Sequence, residues 1–334
     1  MCDKNTLPLA RSMGGELPMA VLEPGEENKR WEAVEKILLS ARRQGLGRDG
    51  FFIGVGGGAV CDLAAFAASV YMRGTGLILC PTSLLGMVDA SLGGKTGFDL
   101  GGIKNLAGTF YPAALVFIAA EALHSLPGRE WKSGMAELIK TALLERDPSF
   151  FSMLQEPFET PSQDGGKILA LIEKAVRVKG SIVEADPRET GGGRILLNLG
   201  HTFGHALESA LGLGTVSHGQ AVAWGLARSC ELGQKLGITP PERGREIQAT
   251  LKAWNYETSL SYPLTLFSGK TEPEGRGFWR AFKEALFNDK KKETSVLRFV
   301  VPAAEGAQAV TKNALADSYI GDLCSGGSFS PGGG

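Results

Sequence analysis

What this chain lacks narrows it first. It has no excess of either charge: 35 Lys and Arg stand against 36 Asp and Glu, a net charge of −1. That excludes the basic surplus that marks a nucleic-acid footprint. Long apolar runs are absent too. The longest, residues 113–120, falls well short of the ~18 residues that suggest a membrane span. Cysteine is scarce and scattered: Cys2, Cys61, Cys80, Cys230 and Cys324 are odd in number and never stand at C-x-x-C spacing. They read as free thiols of a reducing compartment. Residues 1–24 carry Asp3 and Glu16 and no apolar block, so no signal peptide is expected. These absences predict a cytoplasmic protein with no nucleic-acid or membrane partner.

What remains is a folding chain. Hydrophobic residues make up 43% of it and charged residues 21%, the balance of a globular protein and not of a disordered one. Its 334 residues suffice for roughly two domains of ~150. Glycine is the excess, with 46 residues, about double the usual ~7% share. Such abundance points to loops where backbone approaches a ligand closely.

The first third alternates two periods. Residues 29–44 place Trp31, Val34, Ile37 and Leu38 at helical spacing and stop at Gly45-Leu46-Gly47. Residues 51–55 read as a buried strand, Gly56-Gly57-Gly58 as a turn, and 59–71 as a helix. Residues 76–80, ended by Pro81, and 114–118 read as further strands. Strands separated by helix-length segments predict a parallel sheet of βαβ units. Beyond residue 126 helices dominate, at 130–144, 166–182, 202–213 and 220–236, with one short strand at 296–301. The domains are therefore expected at 1–126 (α/β) and 127–324 (helical). A tail at 325–334, built almost wholly of Gly, Ser and Pro, is expected to be disordered.

The chemistry-bearing residues cluster. The run Gly54-Val-Gly-Gly-Gly-Ala-Val-Cys-Asp62 follows a strand and opens a helix. It suits either a phosphate cradle at a helix N-terminus or a plain tight turn. Of four histidines, His201, His205 and His218 lie within eighteen residues. His201 and His205, four apart, share one helix face. Imidazole suits zinc, and a catalytic zinc takes three protein ligands and keeps an open position. A remote carboxylate could supply one ligand, leaving one histidine as a base or anion contact. The segment from Asp89 through Lys95 to Lys104-Asn105 sets lysines among glycines, as an oxyanion site or a solvated loop. Glu137 and Lys140, at i and i+3, read alone as a helix salt bridge.

Taken together, GGGAVCDLAAF, YMRGT, VDASLGGKTGFDLGGIKN, GMAELIK and LNLGHTFGHALE resemble the 3-dehydroquinate synthase family of sugar-phosphate cyclases, from about Gly25 to Val301. The resemblance implies an α/β N-terminal Rossmann-like dinucleotide-binding domain followed by an all-α C-terminal domain, with the active site between them. It implies Glu137, His201 and His218 as ligands of Zn2+, with Co2+ able to fill the same site. Asp89, Lys95, Lys140, Lys179, Arg194, Asn198 and His205 match its catalytic positions, His205 lying near the substrate phosphate. Arg73, Asn105 and Lys290 (or Lys291) match further substrate contacts, Arg73 reaching a neighbouring subunit's site in a homodimer. Glu26, Lys29, Gly57, Gly58, Asp62, Thr82, Ser83 and Lys104 match contacts to NAD. The activity implied is conversion of 3-deoxy-D-arabino-heptulosonate 7-phosphate to 3-dehydroquinate and phosphate. It proceeds by oxidation, β-elimination of phosphate, reduction and internal aldol closure, and the substrate phosphate removes its own proton.

Three features depart from the family pattern. The family has a further strand–helix stretch before Asp3-Lys-Asn-Thr6, so sheet edge and part of the adenosine pocket are expected to be missing. The loop 186–194 carries Pro187 in place of an acid and one extra residue before Arg194, and Ser83 replaces a threonine. The rival readings are another sugar-phosphate cyclase, a polyol dehydrogenase of the same fold, and a non-catalytic NAD- or metal-binding relic.

Overall fold

The computed structural model describes residues 1–158, 165–212, 214–267, 276–288 and 297–325. The expected tail beyond residue 325 and the lysines at 290 and 291 lie outside the described residues. Two compact units form: Met1–Gly134 with Thr160–Thr190, and Met135–Glu159 with Gly191–Gly334. The division falls inside a single helix, and the segment Thr160–Thr190, expected with the helical half, belongs to the α/β unit.

In the α/β unit, β1 (Cys2–Asp3), β2 (Val21–Leu22), β3 (Phe51–Gly56), β4 (Gly76–Pro81) and β7 (Leu115–Val116) make one sheet in the order β2-β1-β3-β4-β7. All its pairings are parallel. The N-terminal residues thus form an interior strand: Cys2 faces Val21 on one side and Val55 on the other. The helices α1 (Leu7–Gly14), α2 (Trp31–Arg43) and α3 (Gly58–Val70) follow. The sheet lets α3 lie close because Gly54 has no side chain there; a Cβ would stand 2.8 Å from the Ala64 Cβ. Leu63, Ala64, Phe66, Leu77 and Leu79 fill the resulting core.

One element was not legible as a strand pair. The loop read through Lys95 to Asn105 instead runs into an antiparallel hairpin of β5 (Lys95–Leu100) and β6 (Ile103–Phe110). Its turn is Gly101-Gly102, both at positive φ (60° and 78°), the backbone that two-residue hairpins require.

The second unit takes in most of α4 (Gly128–Ala142), then α5 (Pro148–Ser152) and, after α6 (Gly165–Ala185) of the first unit, α7 (His201–Leu211), α8 (His218–Lys235), α9 (Pro241–Ala253), α10 (Tyr262–Leu266), α11 (Arg276–Asn288) and α12 (Ala314–Cys324). The strand expected at 296–301 is β8 (Arg298–Pro302), which pairs with β9 (Ala307–Thr311), so the helical half carries one hairpin. Phe203, Trp224, Phe278, Phe282, Phe299 and Tyr319 make its core. Among the described residues no helix is long and apolar enough to cross a membrane, and all five cysteines are free.

Candidate active site

The second unit converges on Glu137. This residue sits on α4 with no exposed surface. His201 Nε2 lies 3.4 Å and His218 Nε2 3.3 Å from its Oε1. Ligands about 2.0–2.2 Å from a tetrahedral zinc stand roughly 3.3–3.6 Å apart, so these separations match a metal's coordination edges. One donor atom from each residue lies within 4.8 Å of the others. Neither Glu137 oxygen has a well-formed hydrogen bond; its neighbours are the two imidazoles and Lys140 Nζ, 2.5 Å from Oε2. Lys140 offsets part of the cost of burying this carboxylate, and two imidazoles with a carboxylate are a donor set zinc accepts. The residues fit the metal.

The electrostatics agree. Burial works against charge on Glu137, yet Lys140, His201 and His218 hold its carboxyl well below the usual carboxylate range. Burial pushes His201 down to about 3, so this imidazole is neutral and ready to donate a lone pair. Burial also opposes charge on His218, but contacts with Glu137 and Glu208 raise it to about 10.

Two local features aim the histidines. His201 follows Gly200, which enters α7 in the left-handed region (φ 79°), and its Nδ1 lies 3.2 Å from the Leu199 carbonyl. His218 opens α8, whose N-cap is Ser217; the serine oxygen accepts from Gln220 N at 3.3 Å. His205 stands apart from the triad: it is exposed, its ring 5.2 Å from that of His201 and 6.4 Å from that of His218. Arg194 is buried and Asn198 half-buried on the short 3-10 helix Arg194–Asn198 that precedes α7.

The first unit gathers the other residues into two groups. In one, Lys179 on α6 donates to Asp89, at 2.7 Å to Oδ1 and 2.6 Å to the carbonyl. This pairing ties α6 to residues of the first unit. Exposed Lys95 forms an ion pair with Glu189, an acid the sequence did not single out. Glu189 has φ 56°, a left-handed backbone within the loop that Pro187 and the extra residue modify.

The other group stands at the carboxyl end of β3. Gly57 is the N-cap of α3, and no side chain caps that helix. Its first N–H groups are left for an anion. Ser83 Oγ accepts from Gly86 N at 3.1 Å, and a Cβ on Gly57 would meet that hydroxyl at 3.4 Å. Buried Thr82 adjoins Ser83 and donates its N–H to Gly56 O. Lys29, buried, is 2.5 Å from Asp62 Oδ2 and 3.5 Å from Glu26. Burial raises the Asp62 carboxyl to about 6 against the pull of Lys29. Lys29 also donates to Asn105 Oδ1 at 2.5 Å, so Asn105, matched to a substrate position, lies with the nucleotide group. Lys104 beside it is half-buried. Arg73 is exposed and held at φ 68°. A bare helix N-terminus flanked by glycine and hydroxyl at the end of a parallel strand fits a dinucleotide's phosphates.

Residues 19–133 match the N-terminal domain of 3-dehydroquinate synthase, and residues 134–292 match its C-terminal domain. The chain belongs to the 3-dehydroquinate synthase family. A 3-dehydroquinate synthase of Shewanella loihica is 36% identical over 306 residues, covering 91% of this chain and 81% of that protein. Among solved structures, 2-epi-5-epi-valiolone synthase from Streptomyces hygroscopicus, with NAD+ and Zn2+ bound, shares the fold. Its TM-score is 0.80 at 23% identity, over 97% of this chain and 89% of that one. A 2-deoxy-scyllo-inosose synthase complexed with carbaglucose-6-phosphate, NAD+ and Co2+ gives 0.76 at 25% identity, over 98% and 89%.

The burial of Lys29 gives its pair with Asp62 a consequence for stability. Asp62→Asn leaves the Lys29 ammonium buried with only half-exposed Glu26 and the weaker influence of Asp99 to balance it. Breaking a buried pair costs about 3–5 kcal/mol, so a fall of about 3 kcal/mol in urea unfolding at pH 8 is expected. Lys29→Met added to Asp62→Leu should recover most of it. An Asp62→Asn protein as stable as the wild type would show that the pair contributes nothing.

Proposed function

We propose that this chain converts 3-deoxy-D-arabino-heptulosonate 7-phosphate to 3-dehydroquinate and phosphate as an NAD- and metal-dependent lyase. The observation that carries this is the buried Glu137–His201–His218 triad at metal-ligand separations in a chain of this family. When bound, NAD+ takes up and returns a hydride, and zinc or cobalt supplies a Lewis acid for hydroxyl and carbonyl oxygen.

The chain's own residues do the rest. Glu137, His201 and His218 would hold the metal, and Lys140, paired with Glu137, keeps that carboxylate ionised. Gly57, Gly58, Thr82 and Ser83 would cradle the dinucleotide, with Glu26, Lys29, Lys104 and Asp62 beside them. Lys95, Lys179 and Arg194 are cations suited to the substrate's carboxylate and phosphate. Asp89 fixes Lys179, Glu189 steadies Lys95, and Asn198 adds a neutral donor. Exposed His205 would bind the phosphate. Lys290 would complete the substrate contacts, while Asn105, held by Lys29, would stand with the nucleotide group. On this reading residues 1–126 bind the nucleotide and residues 127–324 the metal and most of the substrate. Arg73, exposed on a left-handed turn, supports a homodimer in which it serves the neighbouring site. Five free thiols support a cytoplasmic location.

Phosphate release from the heptulosonate, assayed with Zn2+ and NAD+ and with each omitted, tests the reading. Release that needs both, with NAD+ unconsumed and dehydroquinate formed, is the expected result. Turnover only of another sugar phosphate would make the chain a different cyclase, and no turnover of any would leave the relic. Within this assay Lys95→Ala is expected to lower kcat/KM about 10–100-fold, the worth of a charged hydrogen bond, at unchanged metal content. Stoichiometric metal loss in that variant would contradict its role.

A further inference from the structure

Each imidazole of the triad has a second nitrogen, and what that nitrogen meets decides which one faces the metal. For His201 it is the Leu199 carbonyl, 3.2 Å from Nδ1. For His218 it is Glu208, whose Oε2 lies 3.8 Å from Nδ1 while Nε2 faces Glu137. Glu208 is buried, at 8% exposure, and stands seven residues after His201 on α7, two turns along the same face. Thus α7 supplies one ligand directly and an acid to the ligand on α8.

We propose that Glu208 is a positioning residue of the metal centre, orienting His218 through Nδ1 so that Nε2 is the coordinating atom. The inference rests on the reading of Glu137, His201 and His218 as metal ligands. A carboxylate facing Nδ1 favours the tautomer with the proton on that nitrogen and makes Nε2 a stronger donor. Glu208 touches neither substrate nor nucleotide on this account, so its effect must appear in the metal itself.

The test is Zn2+ affinity, measured by competition with a chromophoric chelator, and the visible spectrum of the Co2+ form, for the full chain and for Glu208→Gln and Glu208→Asp. Loss of such a supporting partner typically costs 10–100-fold in metal affinity. Glu208→Gln keeps the shape and removes the charge; it should bind Zn2+ at least about tenfold more weakly, with an altered Co2+ spectrum. Glu208→Asp, which keeps the charge one methylene further away, should recover part of the affinity, and it carries the test if the Gln variant does not fold. Affinities and spectra unchanged in both variants would overturn the proposal. A wild-type chain that binds no metal, or a His201→Ala chain that still binds it, would instead overturn the ligand assignment beneath it.

Discussion

Glu137→Gln is expected to abolish metal binding and turnover together. The amide keeps the volume and one oxygen but loses the charge that two neutral imidazoles need to hold a divalent cation. The loss should exceed the 10–100-fold typical of a supporting residue, because a ligand itself is gone. A second consequence separates this site from an ordinary helix salt bridge. Glu137 is also the counter-ion of Lys140, which is only 1% exposed. Removing this buried counter-ion should cost about 3–5 kcal/mol of stability. Adding Lys140→Met relieves the stability cost but restores no metal. Urea unfolding and metal content, read on single and double variants, therefore move independently. A Glu137→Gln protein that retains stoichiometric zinc and full turnover would sink the assignment.

The second large effect is steric. Gly225 lies inside α8 where α7 crosses it. A Cβ there would overlap the Gly200 carbonyl oxygen and stand 2.8 Å from Gly204 N. Both are backbone atoms, so nothing can rotate away, and the helices must separate. On the facing side, a Cβ on Gly204 would stand 2.9 Å from the Ala221 carbonyl oxygen. Gly225→Ala should therefore cost about 3–5 kcal/mol, at or above the usual range for overpacking. It should also weaken metal binding, since His201 follows Gly200 directly and His218 begins α8. Gly180→Ala is the control: it lies within α6 with nothing within 4 Å of an added Cβ. That change should stabilise by about 0.5–1 kcal/mol. Equal urea midpoints for the two variants would refute the close-crossing argument.

Much of this architecture was legible from local pattern. The strand at 51–55, the glycine turn and the helix after it appear within a residue or two of their expected ends, because apolar period and glycine act over a few residues. The helices bearing His201 and His218 were legible for the same reason. Glu208 carried a signal that was passed over: it continues the face of His201 and His205 at i+7. The hairpin 95–110 also had one, in Gly101-Gly102, but β5 buries three successive residues, Thr96 to Phe98, and β6 is largely exposed, so neither shows the apolar alternation of a half-buried sheet.

By itself, then, the sequence determined the alternation of strand and helix, the glycine-opened N-terminus of α3, the shared face of His201 and His205, and the family. These depend on spacing within one or two turns of chain. Only the tertiary structure decided that Glu137 and Lys140 are buried as a pair, that Lys179 reaches Asp89, ninety residues away in sequence, and that Lys29 takes Asn105 into its own cluster. It also decided that Cys2–Asp3 is an interior strand and that His218 faces Glu208. Each of these is a meeting of distant segments, fixed by which backbones can approach and which buried charges find a partner, and neither is written in the local period of the chain.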